Sequence, residues 1–498
     1  MIKFYNPIHG FIVANTAHLG VPNEILFFAI VLLSSYFFNF LYLFIFNKLK
    51  VGSHDTRPLL KQIYIISVGL FYILGVLNSV LGLVILLINA FVVYFVCKQD
   101  YNKKGKKNEN LPWYIIIGLI GFVLIAHINS TAIANGEVMT GCLMVLVIKL
   151  HEFSWNCFDL TLMNKENELN SHQKDKVITE YPTSLEFLSY VLFYNTLFTG
   201  PAFEYKIYSK WINSDNMDIN IRNPALYKFG KGVFFLVSFF KISEWLPVSE
   251  LLQNNYSLIK RFLFLYIVGM TFRFKYYGAW SIAESLCNMV HLGFNSQTND
   301  FYLIKNVNVR GFEFAQNTKG ALDNWNESTN IWLKNYIYLR FAKINKNSAL
   351  ASLVTFTVSA IWHGTHPGYY LTFVTGSAYQ SAGKIIRRYI RPHFLVTNYN
   401  TFKYIYDGMC LLITQAAFGY LVMPFIVLNM KDSFTIWKSV YFIPHIVILA
   451  LVAIKPFLKQ SVPKTKKAAQ PIKSMLKDII EDKQQFEQHE KLNIKKIE

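Results

Sequence analysis

Charged side chains are scarce in this sequence. Asp, Glu, Lys and Arg make up 16% of its 498 residues, whereas about 25% is usual in soluble domains. Hydrophobic residues make up 53% and aromatic residues 16%, which excludes a disordered chain and is too apolar for a soluble protein of this length. Because one transmembrane helix needs about 20 apolar residues, the composition is enough for about ten spans. It predicts a polytopic α-helical membrane protein.

The few cysteines form no recognisable pattern. They are odd in number and have no paired spacing, so they predict neither a disulfide framework nor a zinc site. The sequence also lacks a visible internal repeat. Its first 20 residues lack a basic segment, a compact apolar core and a small-residue cleavage site, so we expect no cleaved signal peptide. The five cysteines are Cys97, Cys142, Cys157, Cys287 and Cys410.

Apolar runs follow one another along most of the chain. The first covers about residues 25–46, and the stretch 63–97 is long enough for two spans with a turn near 75–78. Several later runs have only about 12 to 16 residues, which is typical of re-entrant, broken or buried membrane segments. We therefore expect an all-α fold with about eleven transmembrane or re-entrant helices.

The charge that is present is strongly basic. Lys and Arg outnumber Asp and Glu by 49 to 30, a formal net charge of +19, which in a soluble protein would indicate a nucleic-acid partner. Here the basic residues lie between apolar runs, as in cytoplasmic loops under the positive-inside rule. Such loops also attract anionic headgroups or a polyanionic co-substrate, so we predict no nucleic-acid partner. The main clusters are Lys98, Lys103, Lys104, Lys106 and Lys107, and Lys384, Arg387, Arg388 and Arg391.

The end of the chain differs in composition from the rest. We divide the sequence into a membrane-embedded domain, 1–458, and a charged tail, 459–498. The tail ends in KKIE, with lysines three and four places from the end. This matches the retrieval signal of endoplasmic-reticulum membrane proteins, which is read from the cytosol, although two such lysines also arise by chance in a Lys-rich tail. We predict a multi-pass endoplasmic-reticulum protein with a cytosolic C-terminus.

The longest polar passage between late apolar runs covers residues 308–341. Its aromatic and polar residues recur at helical spacing, which predicts an amphipathic helix that is too polar to span a membrane. Such a helix lies at the membrane interface or lines a polar cavity. The stripe consists of Trp325, Ser328, Trp332, Tyr336 and Arg340.

A second passage, 351–373, contains an interrupted apolar run. The run ends in Trp362 and His363, and the Gly-Thr-His-Pro-Gly segment 364–368 then breaks the helix before apolar residues resume. An ionisable residue within a membrane segment costs about 2.5–3.5 kcal/mol on insertion scales, so it usually has a function. Broken backbone at membrane depth is tolerated where it is buried or lines a cavity.

These residues alone leave three interpretations of His363 open. Its reference pKa near 6.5 suits a general base, but a buried structural histidine and a metal pair with His366 are alternatives. The metal pair has the least support, because the i, i+3 spacing has no third ligand nearby. We therefore predict no metal site.

The two passages together resemble a known family. The WNESTNIWLKNYIYLR block, whose Asn326 lies 37 positions before His363 in SAIWHGTHPGYYLTF, resembles the membrane-bound O-acyltransferase family. The resemblance is closest to its lysophospholipid acyltransferases, and among these to the fungal broad-specificity branch. The blocks TGPAFEYKIY at 199–208 and RFKYYGAWSIAESLCNMVHLGFN at 273–295 are also similar to that branch. The resemblance covers about 190–430, and the first 190 residues agree in hydropathy only.

This resemblance implies a reaction and two catalytic residues. An acyl group would move from acyl-CoA to the free hydroxyl of a lysophospholipid, in a tunnel enclosed by the membrane helices. His363 would be the general base, and Asn326 would orient the reactants or stabilise the developing oxyanion. No covalent acyl-enzyme is required, which agrees with the lack of a nucleophile elbow. We expect no permanently bound cofactor; the implied partners are acyl-CoA, lysophospholipids and the bilayer.

Further residues in the matching blocks are candidates for the substrate chamber, and for each of them a packing role stays open. They are Trp325, Trp332, Tyr336, Trp362, Glu204, Tyr277 and Glu284. Lys334, Arg340 and the lysine loops are candidates for binding the phosphates of acyl-CoA, because Lys and Arg bind phosphate readily.

Two other functions stay open. Within the same family, the acceptor could be a sterol, a diacylglycerol or a protein serine. A membrane transporter is an alternative of a different class, but the inverted repeats and midplane charged pairs typical of transporters are not apparent.

Overall fold

A computed structural model describes residues 6–16, 23–103, 107–133, 135–163, 169–214, 222–253, 256–395 and 400–461. The described residues form helices and no β-strand, apart from one antiparallel bridge between Asn295 and Asp300. The all-α class predicted from composition is therefore confirmed.

The first half of the chain supplies most of the apolar helices. Short π-helical turns at Phe44–Lys48 and Phe71–Val76 extend the second and third helices. In chain order the helices are α1 (Pro7–Thr16), α2 (Asn23–Leu43), α3 (Arg57–Leu70), α4 (Val80–Asn102), α5 (Leu111–Ile128), α6 (Gly136–Phe158), α7 (Ser171–Lys176), α8 (Ser184–Val191), α9 (Tyr205–Ile212), α10 (Arg222–Trp245) and α11 (Leu258–Met289).

The second half contains the shorter helices. Leu333–Tyr338 and Ile386–Ile390 form further π-helical turns. The helices are α12 (Val309–Glu313), α13 (Thr318–Asp323), α14 (Glu327–Trp332), α15 (Leu339–Ile344), α16 (Ser348–His363), α17 (Pro367–Ile385), α18 (Arg391–Leu395), α19 (Asn400–Leu421), α20 (Met423–Val427), α21 (Met430–Ser439) and α22 (Ile443–Ser461).

Six helical segments of the described chain are long and apolar enough to cross a membrane. A seventh is added if the bent pair Met430–Ser439 and Ile443–Lys459 counts as one broken span. The expected total of about eleven stays a prediction. The six are Ile25–Lys48, Arg57–Val76, Val80–Asn102, Leu111–Ile128, Gly136–Leu162 and Lys403–Val427.

The apolar stretch predicted to hold two spans is divided where expected. The helical chain ends at Val76 and resumes at Val80. Asn78 in the turn has a φ of +52°, a left-handed conformation that Asn tolerates better than most residues. The Asn135 side chain donates a hydrogen bond to the Leu77 carbonyl at 2.6 Å, which fixes the turn.

Helices α10 and α11 pack closely in an antiparallel arrangement. A Cβ atom at Gly232 would lie 3.0 Å from the Gly278 carbonyl oxygen, and one at Gly278 would lie 3.1 Å from the Gly232 oxygen. Small residues let two helix backbones approach in this way. The Ser285 hydroxyl also donates to the Ala225 carbonyl at 2.7 Å.

The polar passage 308–341 is not one helix. Asn308 and Asn317 cap separate short helices, accepting hydrogen bonds from Gly311 at 3.1 Å and Gly320 at 2.9 Å. Only from Glu327 onward is the passage continuously helical, through α14, the π turn and α15. The predicted helical spacing is therefore right from position 328 and wrong for Trp325, which precedes the helix.

The chain divides into two compact units. The larger contains Met1–Gly383 and Asp407–Ile448 and holds every candidate catalytic and substrate-chamber residue named above. The smaller contains Lys384–Tyr406 and the described residues from 449 on. The domain boundary at 458/459 stays a prediction, and the KKIE end lies outside the described residues.

A buried ion pair fixes α15 to the end of α6. Arg340 pairs with Asp159, and their side chains are 4% and 0% exposed. The Arg340 guanidinium carbon also lies 4.1 Å from the centre of the Trp155 ring. Arg340 is thus engaged inside the protein, which corrects the expectation that it meets donor phosphates.

Breaking this pair should destabilise the protein. Arg340→Met leaves a buried carboxylate without its partner, so we expect the free energy of unfolding to fall by about 3–5 kcal/mol. Denaturation of the detergent-solubilised protein measures the change. The matched control is Lys319→Met, which removes an exposed pair with Asp323 and should cost about 0.3–0.5 kcal/mol. An equal fall in the free energy of unfolding in both variants would show that the buried pair contributes no more than the exposed one.

Candidate active site

The Trp-His-Gly segment lies at a break between two helices. Helix α16 ends at His363 and α17 begins at Pro367, so the break predicted from the sequence is confirmed. Gly364 between them has φ +124° and ψ −160°, a conformation restricted essentially to glycine. The Gly368 amide donates to the Leu428 carbonyl at 2.9 Å, which holds the far side of the break.

Aromatic rings surround the imidazole of His363. The ring centres of Tyr369, Phe373 and Phe425 lie 5.5, 5.2 and 4.9 Å from its own. The histidine is half-buried, and within the described residues no hydrogen bond holds either of its nitrogens. Both nitrogens are therefore left for a reactant, as a general base requires.

Trp362 and Trp332 form a wall next to this histidine. The indole N–H of Trp362 donates to the Met144 carbonyl at 2.9 Å, and the two indole rings lie 6.1 Å apart. Trp332 is fully buried and donates to Nδ1 of His151 at 2.9 Å. The contacts of both tryptophans are thus with the protein core, in agreement with the packing alternative.

Asn326 stands immediately before α14 in a left-handed conformation, with φ +43° and ψ +58°. The next two amides are held by Asn306: Glu327 donates to its carbonyl at 2.6 Å, and Ser328 donates to its side-chain oxygen at 3.2 Å. Glu284 accepts the Asn306 amide at 2.7 Å. Glu284 therefore supports the backbone of Asn326 through one intermediate residue.

The two candidate catalytic residues lie on separate elements. Asn326 begins α14, His363 ends α16, and no hydrogen bond joins their side chains in the part of the chain that the structure describes. The elements meet because α16 packs against the π turn Leu333–Tyr338 that follows α14. Their joint role in one reaction remains a proposal.

Tyr277 and Trp325 belong to an aromatic cluster between α11 and α12. The Tyr277 hydroxyl donates to Glu313 at 2.8 Å, and Arg273 bonds the same carboxylate at 2.7 and 2.8 Å. The Trp325 ring centre lies 5.7 Å from that of Tyr277. These contacts give Trp325 and Tyr277 a packing role, and a substrate-binding role for them stays a prediction.

Tyr336 and Glu204 meet in a buried polar network. The Tyr336 hydroxyl lies 2.8 Å from Asn156 Oδ1 and 2.9 Å from Glu204 Oε1, and its single proton can serve only one of them. Lys176 approaches the same carboxylate at 3.4 Å, and His172 at 2.9 Å. The sequence blocks that hold Tyr336 and Glu204 are thus brought together.

A cavity of about 390 Å³ lies beside this network. Lys176 contributes to its wall together with Lys61, Lys206 and Lys210, and the facing side chains include Asp175. Burial lowers the pKa of Lys206, Asp175 opposes this, and Lys210 and Lys176 lower it further. The four lysines come from three helices, α3, α7 and α9, and sequence reasoning missed them because their separate positions give no motif.

The described residues contain no cluster of His, Cys, Asp and Glu that could hold a metal ion.

Sequence reasoning also missed His127, at the end of α5, whose ring lies against Gly364. The signal that singled out His363, an ionisable residue ending an apolar run, applies equally to His127.

The helices that are long and apolar enough to span a membrane define a polytopic membrane protein, and its candidate site contains a half-buried histidine at a helix break. Comparison with known proteins gives the family. The model of MBOAT, the membrane-bound O-acyltransferase family, matches residues 83–423. The chain belongs to this family and is an O-acyltransferase.

Several curated relatives are similar over most of their length. A lysophospholipid acyltransferase of Schizosaccharomyces pombe is 35% identical over 422 residues, which are 80% of this chain and 81% of the relative. One of Saccharomyces cerevisiae is 34% identical over 483 residues, 89% of this chain and 76% of the relative. The human membrane-bound glycerophospholipid O-acyltransferase 1 is 28% identical over 383 residues, 71% and 76% of the two chains. The match begins well before position 190, where the sequence resemblance was expected to begin.

Proposed function

We propose that this protein is a lysophospholipid acyltransferase that uses acyl-CoA. The observation that carries the proposal is the Trp362-His363-Gly364 break, which leaves an accessible imidazole inside a membrane bundle. The printed names of the fungal relatives, lysophospholipid acyltransferases at 34–35% identity, support the choice of acceptor.

His363 is the general base of the proposed reaction. The free glycerol hydroxyl of the lysophospholipid attacks the thioester carbonyl carbon while His363 accepts the hydroxyl proton. The new ester bond forms, the carbon–sulfur bond breaks, and the proton passes from His363 to the departing thiolate. A thiol with a pKa near 8.5 leaves without a strong acid, so no covalent enzyme intermediate is needed.

Asn326 assists the same step through its amide. The side-chain N–H groups of an asparagine can donate to the oxygen that becomes negative as the hydroxyl attacks. Its left-handed backbone, held by Asn306 from the side, keeps the amide in a defined position. Preorganised donors of this kind need no reorganisation when charge develops.

The four-lysine cavity is the proposed site for the phosphates of acyl-CoA. Because α2, α3 and α4 are consecutive spans, the cavity residues Asn47 and Lys61 lie at the same membrane side as the lysine loop after α4. By the positive-inside rule this side is cytosolic, where a soluble donor arrives. The Asn47 side-chain oxygen is buried and has no hydrogen-bond partner among the described residues, so the cavity retains an unsatisfied polar group.

The same proposal places the protein in the endoplasmic-reticulum membrane as a multi-pass protein with a cytosolic C-terminus.

Removing two of these lysines should weaken donor binding. For the double variant Lys206→Gln/Lys210→Gln we expect the KM for acyl-CoA to rise about 10-fold, equivalent to about 1.4 kcal/mol. The KM for the lysophospholipid should stay within twofold, because that substrate comes from the bilayer. Steady-state kinetics at low salt measures both. The control is Lys174→Gln, an exposed lysine on α7 outside the cavity; an unchanged KM for acyl-CoA in the double variant would refute the cavity assignment.

The acceptor class is tested with a substrate panel. Purified protein in lipid nanodiscs is given labelled acyl-CoA with lysophospholipids of several headgroups, a sterol, a diacylglycerol and a serine-containing peptide. We expect the labelled acyl group to be transferred to the lysophospholipids. Transfer to one of the other alcohols, with none to any lysophospholipid, would leave the O-acyltransferase family intact and discard the proposed acceptor.

A further inference from the structure

Asn326 begins a helix that it does not cap. The residue before a helix usually has an extended backbone, and its side-chain oxygen accepts a hydrogen bond from the second or third amide of the helix. Asn326 instead has a left-handed backbone, and its side chain forms no capping hydrogen bond with α14. Another group must therefore satisfy the first amides of α14.

Asn306, from an earlier part of the chain, supplies the missing cap. Its side-chain oxygen accepts the Ser328 amide at 3.2 Å, and its carbonyl accepts the Glu327 amide at 2.6 Å. Ser328 is the second residue of α14, whose amide a residue such as Asn326 would normally bind. Asn306 is only 1% exposed, so this cap is a buried part of the fold.

The buried carboxylate of Glu284 fixes the segment that contains Asn306. Its Oε1 atom accepts the Asn306 amide at 2.7 Å and the Val307 amide at 3.3 Å. Its other oxygen pairs with Lys228 of α10. Because Glu284 belongs to α11, the closely packed α10 and α11 together determine where Asn306 lies.

Contacts on both sides of Asn326 join it to the same segment. Before Asn326, the Asn324 carbonyl accepts the Asn308 amide at 3.1 Å. After it, Glu327 pairs with Lys305 at 3.0 Å. A left-handed backbone is uncommon for a residue with a side chain and persists where the surrounding contacts determine it. These contacts account for the conformation of Asn326.

We infer that Asn306 is a positioning residue for the acyl transfer: it caps α14 in place of Asn326 and so leaves the Asn326 amide free to donate to the reacting oxygen. This inference rests on the proposed function. Without Asn306, an extended Asn326 could cap α14 with its own side-chain oxygen, which would turn the amide away from the reactants. A misplacement of about 1 Å can cost on the order of 100-fold in rate, so the cap affects turnover.

Asn306→Ala removes the capping oxygen and keeps the main chain. We expect kcat to fall about 10- to 100-fold, with both KM values within about twofold of wild type. The matched control is Asn347→Ala, which removes the cap of α16 at the end opposite His363; Asn347 accepts the Ala349 and Leu350 amides at 3.0 and 3.2 Å. Wild-type kcat in Asn306→Ala would overturn the inference. An equal fall in both variants would also overturn it, because the loss of any helix cap would then be sufficient.

A double-mutant cycle shows whether Asn306 acts through Asn326. If it does, adding Asn306→Ala to Asn326→Gly should change kcat less than about threefold, because the amide that Asn306 positions is already missing. If the two decreases in kcat multiply instead, Asn306 affects the rate independently of Asn326 and the inference is wrong.

A second measurement does not depend on activity. Hydrogen–deuterium exchange of the peptide covering 327–332 should be faster in Asn306→Ala than in wild type and unchanged in Asn347→Ala. Peptides from α4 and α6 should exchange as in wild type in both variants, which shows that the fold is kept. Unchanged exchange at 327–332 in Asn306→Ala would refute the cap. If the wild-type protein transfers no acyl group to lysophospholipids, the proposed function fails, while the exchange result still decides whether Asn306 caps α14.

The conservative variant Asn306→Asp links the two measurements. It keeps a side-chain oxygen of the same reach, and aspartate is a preferred helix cap. We expect slow exchange at 327–332 and a kcat within about threefold of wild type. Slow exchange without recovery of kcat would overturn the inference, because the cap would then be present without its effect on the reaction.

Discussion

His363→Ala should lower kcat at least 10²–10⁴-fold, the range expected when a general base is removed. An alcohol is a weak nucleophile at neutral pH, so without a proton acceptor the lysophospholipid hydroxyl attacks the thioester slowly. The imidazole is half-buried among Tyr369, Phe373 and Phe425 and is bound to none of them by a hydrogen bond. The substitution therefore removes the base without breaking a polar network. Initial rates of acyl transfer with both substrates saturating measure the effect.

The chain offers a matched control for this experiment. His366 stands three residues further on, in the same break, and is exposed. His366→Ala should keep kcat within about threefold of wild type, and both variants should denature at a similar temperature. Wild-type-like turnover in His363→Ala would discard the mechanism. If kcat falls as far in His366→Ala as in His363→Ala, the whole break is required and not one imidazole alone.

Loss of the Asn326 amide should lower kcat about 10²–10³-fold, as removal of one oxyanion-stabilising donor does. The choice of substitution matters because Asn326 has a φ of +43°, where alanine would add backbone strain. Asn326→Gly removes the amide and keeps the left-handed backbone accessible. It is therefore the variant that reports on the amide group itself.

Asn330→Ala supplies the comparison for Asn326. Asn330 lies one turn further along α14, and its weak 3.5 Å hydrogen bond joins it to Asp323. We expect its kcat within about threefold of wild type. A kcat for Asn326→Gly in the same range would remove Asn326 from the chemistry and leave it a structural helix start.

Features with a local cause could be predicted from the sequence. The break between α16 and α17 follows from glycine and proline in 364–368, and the turn at Asn78 follows from the doubled length of one apolar run. The all-α class follows from hydropathy, because helices satisfy their own backbone in lipid. Each of these depends on a few neighbouring residues.

Features made by contacts between distant segments could not be predicted. The four cavity lysines become neighbours only when α3, α7 and α9 assemble, and His127 meets Gly364 across more than 200 residues. The start of α14 was placed too early because Asn308 and Asn317 cap separate helices, and spacing alone does not show which asparagine caps. Arg340 was a candidate for phosphate binding because its sequence neighbours do not reveal its partner, Asp159, which lies at the end of α6.

The acyl transfer proposed for His363 is measured by following both of its products in one reaction. Purified wild-type protein in nanodiscs receives labelled acyl-CoA and lysophosphatidylcholine, and the release of free CoA thiol is followed together with acylated lipid. We expect one thiol released per acyl group transferred, and loss of both products in His363→Ala. Thiol release without acylated phospholipid, or equal acylation by His363→Ala, would contradict the proposed transfer.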